Sequence, residues 1–308
     1  MFVNSDALLK VIRSFHSFVQ AVDRADTHLF RFIPSRLKRH TVRRFFRFFA
    51  PYLGQPASSN QASRLELNGL TLEIPHQLNY AYVLREYEPK LIHLLQEYLQ
   101  PGMAMVDVGA NIGFVTAFAA RLVGNHGRVI AVEPGQDNLR FLRKNIELNG
   151  LSNVEIVPYA AGNKAHRRQL YLHSDSTSHT LFPPEGENDH SIEVQAISLD
   201  GVVTQPIDFV KIDVEGAEIE VLEGMTQILQ QNPNLRLLVE WNPHLLQRAG
   251  YSIEALPQYL LEKGFAISLI DEESSLSSVE EAINLYRTSQ LSRSWFASLY
   301  AYLDENGI

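Results

Sequence analysis

The sequence predicts an α/β fold built on a seven-stranded, mostly parallel, doubly wound sheet. From Met103 onward, short apolar segments alternate with segments of helical periodicity, an order that places helices on both faces of a parallel sheet. The composition, 45% hydrophobic and 20% charged residues, is that of a globular protein. With 308 residues, the chain is long enough for one sizeable core and a smaller attached unit.

Each predicted element of the main domain follows from periodicity and from its flanking residues. The strands are expected at 104–108, 128–132, 154–159, 209–213, 235–240, 265–270 and 295–302. Helices are expected at 88–99, 114–122, 138–149, 217–229 and 253–263. A long polar insertion separates the third and fourth strands. No clear helix precedes the seventh strand, and this indicates one late antiparallel strand in the sheet.

The first hundred residues have a different pattern. Residues 5–33 carry apolar side chains at helical spacing, and a second helix is expected between Pro34-Ser35 and Pro51. Two short alternating segments joined by Asn68-Gly69 predict a β-hairpin. We therefore expect a helical extension over 1–64 and a main domain over 65–308, with its core at 100–303.

The bulk properties exclude several classes of protein. The formal net charge of −8 argues against a nucleic-acid partner, and the absence of cysteine excludes disulfides, thiolate zinc sites and cysteine nucleophiles. No uncharged apolar run reaches the roughly 18 residues that a membrane span needs. Asp6 and Lys10 interrupt the place where a signal peptide would have its apolar segment. The expected location is therefore cytoplasmic.

The turn after the first strand carries the features of a cofactor site. Small residues at Gly109 and Gly113 let the backbone turn sharply and pass close to a ligand at the carboxyl edge of the sheet. A dinucleotide fingerprint would need a third glycine where Asn111 stands. Asp107, two positions before the first glycine, would repel a pyrophosphate and favour a cationic group. The turn therefore favours the sulfonium cofactor S-adenosylmethionine.

Two further positions complete this expected site. Glu133 ends the second strand about 20 residues after the glycines, the distance at which a carboxylate reaches the ribose hydroxyls of a nucleotide. The alternative is a surface strand end. Ala161 lies in the small-residue segment Ala160-Ala161-Gly162 after the third strand, which could admit an adenine ring or form an ordinary turn.

Five segments together resemble the FkbM-type methyltransferases. They are Asp107-Val-Gly-Ala-Asn-Ile-Gly, Glu133-Pro134, Ala160-Ala161-Gly162, Ser198-Leu199-Asp200 and Lys211-Ile-Asp-Val-Glu-Gly-Ala-Glu218. Tyr87-Glu88-Pro89 also fits the family's approach to the domain, and the resemblance covers roughly residues 85–270. It implies a class I Rossmann-like methyltransferase fold. It also implies methylation of hydroxyl groups on sugars, polyketides and other secondary metabolites.

The reacting groups are expected at the ends of strands four and five. Methyl transfer to an alcohol needs an aligned nucleophile and a group that removes its proton. Asp213 would lie beside the methyl donor, and Glu215 would reach the same edge to contact substrate. Glu240 should need a partner, with Lys211 or His244 as candidates, because an unpaired buried carboxylate is costly. A simple Glu240–Lys211 salt bridge is the structural alternative.

A histidine is the expected general base, because imidazole titrates near the working pH. His244 is the first candidate, although a histidine at a helix start beside Pro243 also has a purely structural explanation. His179, in the polar insertion, is the alternative base and a candidate substrate contact. The carboxylates of Asp213, Glu215 and Glu240 could hold a divalent metal, but structural ion pairs explain them as well, and no metal is favoured.

Residues 36–49 predict a basic amphipathic helix. One half of the helical wheel is apolar and mostly phenylalanine, and the other half carries the arginines Arg36, Arg39, Arg43, Arg44 and Arg47. Such a helix could dock through its phenylalanines on its own domain or a partner subunit, lie on an anionic membrane, or meet an acidic partner.

We expect an S-adenosylmethionine-dependent O-methyltransferase whose acceptor is a hydroxyl of a saccharide or a glycosylated metabolite. An N- or C-methyltransferase on the same scaffold, and a non-catalytic protein that binds a membrane or partner through the basic helix, are the alternatives.

Overall fold

A computed structural model describes residues 62–75, 88–172, 179–183, 190–271, 276, 278–293 and 295–303. By its internal packing the chain divides into two compact units, 64–74 with 88–308, and 1–63 with 75–87. Nearly all of the described residues belong to the first unit. The helices predicted before residue 50, including the basic segment 36–49, lie outside the described residues. None of the described helices is long and apolar enough to span a bilayer.

The described residues form twelve strands and eight α-helices. The strands are β1 (Ala62–Leu67), β2 (Leu70–Pro75), β3 (Ala104–Val108), β4 (Arg128–Val132), β5 (Val154–Val157), β6 (Ala160–Ala161), β7 (His166–Tyr171), β8 (Ser191–Ile197), β9 (Phe209–Ile212), β10 (Arg236–Trp241), β11 (Phe265–Ile270) and β12 (Ala297–Leu303). The helices are α1 (Pro89–Tyr98), α2 (Phe114–Val123), α3 (Gln136–Leu148), α4 (Glu218–Glu223), α5 (Thr226–Gln231), α6 (Pro243–Arg248), α7 (Ala255–Glu262) and α8 (Val279–Arg287).

The main sheet has seven strands in the order β11-β12-β10-β9-β3-β4-β5. The pairs β10–β9, β9–β3, β3–β4 and β4–β5 are parallel, whereas β12 runs antiparallel to both of its neighbours. All four residues of β9 are buried, so both faces of the sheet centre are covered, as a doubly wound sheet requires. The predicted seven-stranded sheet with one late antiparallel strand is confirmed.

The structure corrects the sequence analysis at three elements. The third strand ends at Val157, and Ala160–Ala161 instead joins a second sheet of order β6-β8-β7. The single helix expected over 217–229 is two helices, Glu218–Glu223 and Thr226–Gln231. Gly224 lies between them and packs so closely on Gly162 that a Cβ there would lie 2.0 Å from the Gly162 carbonyl oxygen. A helix, α8, does precede β12. Its start signal is Ser278, whose Oγ accepts a hydrogen bond from the Glu281 N–H.

The predicted hairpin is confirmed. Asn68 and Gly69 both have positive φ angles, 49° and 77°, as a tight two-residue turn demands. The edge of β2 is paired by side-chain amides of two asparagines at the end of α3. Asn145 accepts from the Glu73 N–H and donates to the Glu73 carbonyl, and Asn149 does the same for Thr71. The hairpin is therefore tied to the main sheet's own helix layer.

Helix α1 covers one face of the sheet beside β10 and β12. It begins with Pro89 at a position where no backbone N–H is needed. Its side chains Leu91 and Leu95 are buried, and the ring of Tyr98, its last residue, stacks on Tyr300 with ring centroids 5.1 Å apart. The start of α1 consequently lies near the carboxyl edge of the sheet, where the candidate site is found.

Candidate active site

The turn between β3 and α2 is built around glycines that no other residue could replace without strain. Gly109 has φ +81°, and a Cβ there would lie 1.8 Å from the carbonyl oxygen of Asp213. Gly113 has φ +86°, and a Cβ there would lie 2.4 Å from Cδ1 of Leu142. The Gly109 N–H donates to the carbonyl of Val132 at the end of β4. The turn is thus held tightly between the ends of β9 and β4.

Asp107 is fully buried at the end of β3. Its Oδ2 accepts a hydrogen bond of 2.6 Å from the Thr116 hydroxyl, while its Oδ1 accepts none from the described residues and has Lys211 Nζ at 3.9 Å. Burial raises the pKa of Asp107, against the opposing effects of Lys211 and Thr116. One buried carboxylate oxygen therefore retains its capacity to accept a hydrogen bond from a ligand.

Glu133 is almost fully buried at the end of β4 and fixes the neighbouring loops. Its Oε2 accepts from the Asn111 N–H at 2.9 Å, and its Oε1 accepts from the Gly135 N–H at 2.8 Å and from Asn138. Burial raises its pKa to about 7. A carboxylate has about four acceptor positions, so Glu133 can still accept hydrogen bonds from ligand hydroxyls.

His179 lies on the same side of the site as Glu133. A Cβ on Gly135 would be 2.8 Å from Glu133 Oε1 and 3.4 Å from Cδ2 of His179. The next residue, Thr180, donates its hydroxyl to the carbonyl of Glu215 at 2.7 Å. The segment 179–183 therefore bridges the end of β4 and the turn after β9, next to the expected ribose position.

Lys211 lies between two acidic residues, Asp107 on β3 and Asp213 directly after β9. In the β3–β9 register it pairs with Asp107, and its Nζ lies 2.9 Å from Oδ2 of Asp213. Burial by itself lowers the pKa of Lys211, but the attraction of Asp213 and Asp107 outweighs it, so the pKa is raised. Burial likewise raises the pKa of Asp213, and Lys211 together with a hydrogen bond from Glu240 reverses this, so the pKa of Asp213 is lowered. The two aspartates thus favour the charged form of Lys211, and Lys211 in turn favours the ionised form of Asp213.

Glu240 makes a carboxyl pair with Asp213. The β9–β10 register sets Ile212 opposite Val239, so the two acids follow at adjacent positions. Burial first, and then the charge of Asp213 and its hydrogen bond, raise the pKa of Glu240 well above its ordinary value. Of the two acids, Glu240 is the one whose neutral form is favoured by burial and by its neighbour. The expected ion pair of Glu240 with Lys211 or His244 is not formed among the described residues, and Lys211 lies instead within 4 Å of Asp107 and Asp213.

Glu215 completes a cluster with this pair. One carboxylate oxygen from each of Asp213, Glu215 and Glu240 lies within 4.8 Å of the others, a spacing that could also hold a divalent cation. Glu215 has a positive φ of 54°, and Gly216 follows with φ +106°. The buried carboxylate of Glu218 accepts from the Gly216 N–H at 2.9 Å and closes this turn.

His244 stands apart from the cluster. It is half-buried at the start of α6, where its backbone N–H donates to the side-chain oxygen of the capping residue Asn242. The group of acids within 4.8 Å does not include its ring. The structure thus brings Asp213, Glu215 and Glu240 together and does not join His244 to them. Ala161 is buried in β6, paired with Ile197.

Two contributors to the site were not singled out from the sequence. Lys211 was considered only as a partner for Glu240, although a lysine inside the otherwise apolar strand Phe209–Ile212 signals a buried ion pair. Glu218 follows the turn at the start of a helix, where a carboxylate commonly accepts backbone N–H groups.

The residues present fit S-adenosylmethionine. The unsatisfied Oδ1 of Asp107 suits a cationic group, and the two oxygens of Glu133 suit the ribose hydroxyls. Glu133 and Asp107 lie at the ends of neighbouring parallel strands, Ala131 pairing with Asp107. The same set offers no cation to neutralise a pyrophosphate other than Lys211, which Asp107 and Asp213 already hold.

Comparison with known proteins gives a family match and shorter sequence similarities. The model of the methyltransferase FkbM domain matches residues 107–267. The hexuronic acid methyltransferase AglP of Haloferax volcanii is 31% identical over 154 residues, 46% of this chain and 58% of that protein. Protein-L-isoaspartate O-methyltransferase 1 of Arabidopsis thaliana is 41% identical over 61 residues, 20% of this chain and 26% of that protein. The chain spans only about a quarter to a third of the length of the first such relatives.

Among solved structures, a methyltransferase FkbM from Methylobacillus flagellatus is similar with a TM-score of 0.42 and 19% identity, over 73% of this chain and 54% of that one. TYW2 of M. jannaschii in complex with AdoMet has a TM-score of 0.45 and 12% identity, over 80% of this chain and 88% of that one. The family match covers just over half of the chain. The chain therefore belongs to the FkbM family of methyltransferases, with the class I methyltransferase fold and S-adenosylmethionine as its cofactor.

Proposed function

We propose that the protein is an O-methyltransferase that transfers the methyl group of S-adenosylmethionine to a hydroxyl of a saccharide or a glycosylated metabolite. The observation that carries this proposal is the Asp213–Glu240 carboxyl pair at the edge of the sheet, next to the Gly109 turn. The similarity to a hexuronic acid methyltransferase supports a sugar acceptor.

The residues divide into those that bind the cofactor and those that act on the acceptor. When bound, the cofactor supplies an electrophilic methyl group on a positively charged sulfur. Asp107 and Glu133 bind and orient it through their carboxylate oxygens, and the close contact of Gly109 with Asp213 fixes the distance between the two halves of the site.

The carboxyl pair serves the acceptor hydroxyl. Asp213, whose ionised form Lys211 favours, would accept the proton of the acceptor hydroxyl when that oxygen takes the methyl group that bound S-adenosylmethionine would supply, with S-adenosylhomocysteine as the leaving group. Glu240 keeps its proton and donates a hydrogen bond to Asp213. The two adjacent acids therefore carry one negative charge instead of two. Glu215 lies beside the carboxyl pair, and His179 lies near Glu133, where the ribose is expected. Both side chains can orient hydroxyls of the acceptor.

His244 is the second candidate for the base. It is the second residue of α6, three residues after the end of β10, the strand that carries Glu240, and it is partly exposed. The variants Asp213→Asn and His244→Ala separate the two candidates. We expect Asp213→Asn to lower kcat at least about 100-fold, the usual share of a positioned base, with cofactor affinity retained, and His244→Ala to retain most of the turnover. A large loss in His244→Ala with a small loss in Asp213→Asn would transfer the role of base to His244.

The experiment that tests the function has two steps. Calorimetric titration with S-adenosylmethionine, with NAD as control, should show binding of the first compound alone. Labelled S-adenosylmethionine is then incubated with hexoses, hexuronic acids and their glycosides, and the position of the label in the product distinguishes O- from N- or C-methylation. Absence of cofactor binding would favour a non-catalytic role, and label on nitrogen or carbon would overturn O-methylation.

A further inference from the structure

A pocket opens on the face of the sheet that α1 covers. It lies between the start of α1, the middle of β10, the end of β11 and the start of β12, and its lining includes Glu88, Leu91, Leu238, Ile270, Phe296 and Ser298. All of these residues belong to the same compact unit as the carboxyl pair.

The pocket begins one strand away from Glu240. In the antiparallel β10–β12 register Ser298 stands directly opposite Glu240, and in the β11–β12 register it stands opposite Ile270. Directly paired residues point to the same face of a sheet, and so does Leu238, two positions before Glu240. Because neighbouring strands are about 4.8 Å apart, Ser298 lies roughly 10 Å across the sheet from Asp213. The pocket and the carboxyl pair therefore share one face and one edge of the sheet.

The lining is apolar except at its rim. Leu91, Leu238 and Ile270 supply aliphatic surface, and Phe296 is 40% exposed, which is unusual for so large an apolar side chain. Of the described residues that line the pocket, none is a cation. Glu88 is acidic, and its charge raises the pKa of Lys211 together with the charges of Asp213 and Asp107. An anionic group such as a phosphate would find no favourable charge here.

We propose that this pocket binds the apolar part of the acceptor, an aglycone attached to the saccharide that is methylated beside Asp213. This inference rests on the proposed function, since it assumes that a saccharide hydroxyl occupies the carboxyl pair. A second sugar ring fits less well, because burying hydroxyls without partners is costly and the described lining offers polar side chains only at Ser298 and Glu88. An alkyl or aryl group has no hydroxyl to desolvate, and it buries apolar surface against Phe296.

The test compares two acceptors that differ only in the aglycone. Methyl and hexyl β-D-glucuronide are titrated calorimetrically into the protein loaded with S-adenosylhomocysteine, and KM is measured for each with S-adenosylmethionine. We expect the hexyl compound to bind at least about tenfold more tightly, as burial of two or more methylene groups predicts. Phe296→Ala should abolish most of this preference without changing the affinity for the methyl compound, and Phe296→Leu should retain much of it.

Leu261→Ala is the matched control, because Leu261 is also a large exposed apolar residue, 55% exposed, but lies on α7 and not in the pocket. It should leave the preference for the hexyl compound unchanged. Equal affinity for both glucuronides, or a preference that survives Phe296→Ala, would overturn the pocket assignment. A hexyl preference in binding without methylation of either glucuronide would leave the pocket in place and overturn hydroxyl transfer as the function.

Discussion

Gly109 and Asp213 meet so closely that a single added carbon would separate them: a Cβ on Gly109 would lie 1.8 Å from the Asp213 carbonyl oxygen. This contact joins the turn that we propose holds the cofactor to the strand end that carries Asp213, the proposed proton acceptor. The two halves of the candidate site are thus fixed relative to each other by a contact of the backbone.

Gly109→Ala should separate this contact and weaken cofactor binding. Gly109 has a positive φ of 81°, so the variant carries both a conformational cost and a clash, and we expect a loss of stability of several kcal/mol. Gly102→Ala is the control, since Gly102 also has a positive φ, 95°, but nothing within 4 Å of an added Cβ. It should cost only about 1 kcal/mol and leave S-adenosylmethionine binding intact. Thermal unfolding measures the stability of each variant, and calorimetry measures its affinity for S-adenosylmethionine. Equal losses in the two variants would mean that the contact of Gly109 with Asp213 does not support cofactor binding.

Lys211→Met should be strongly destabilising. It leaves the carboxylates of Asp107 and Asp213 without the cation that both face, and breaking a buried ion pair in this way costs about 3–5 kcal/mol. Lys144→Met breaks the exposed ion pair with Glu147 and should cost less than about 1 kcal/mol. Denaturant unfolding compares the two. A small loss in Lys211→Met that matches Lys144→Met would mean that the buried acids are neutral without the lysine.

Cofactor binding should release a proton from the carboxyl pair. The pKa of Glu240 is raised by burial and by Asp213, and a nearby positive charge favours its ionised form. S-adenosylmethionine carries one positive charge more than S-adenosylhomocysteine, so its binding near pH 7.5 should release more protons, up to about one per protein. Calorimetry in buffers of different ionisation enthalpy measures this release. Glu240→Gln should remove the difference between the two ligands, whereas the exposed Glu97→Gln should not; a difference that persists in Glu240→Gln would exclude the pair as its source.

Glu218 should make the folded protein less stable as the pH rises. Burial raises its pKa from 4.5 to about 7, so the folded protein binds the proton more tightly than the unfolded chain. The free energy of unfolding then falls between about pH 4.5 and 7, by at most about 3 kcal/mol from this group. Glu218→Gln keeps an acceptor for the Gly216 N–H and should flatten this pH dependence, while the exposed Glu223→Gln should leave it as in the parent protein. The free energy of unfolding of the three proteins is measured at pH 5 and pH 8. The same change between the two pH values in all three would contradict Glu218 as the group responsible.

The sequence predicted the sheet because the physical signals there are local. Buried parallel strands such as Phe209–Ile212 are short apolar runs, and Asp107, Gly109 and Glu133 stand at strand ends where the fold always places its ligand. Helix α8 was missed although its sequence signals are also local: Ser278 caps it, and Val279, Ala282 and Ile283 follow at helical spacing and pack on the core.

The partners inside the site could not be predicted in the same way. Whether Lys211 meets Glu240 or Asp107 depends on strand order and register, and a register shift of one residue changes which face a side chain occupies. Gly224, between the two helices that replace the expected one, packs on Gly162, 62 residues earlier in the chain. These relationships arise only when distant segments are packed together.

The asparagine amides that pair with β2 define where an autonomous catalytic fragment must begin. Leu70, Leu72 and Ile74 are fully buried, and Asn145 also donates to the carbonyl of Ile112 inside the cofactor turn. A fragment starting at residue 88, after the hairpin, would expose an apolar surface and leave Asn145 and Asn149 without their strand. The minimal expressible enzyme consequently includes the hairpin, so limited proteolysis that trims the chain down to it should preserve cofactor binding, and cleavage beyond it should not.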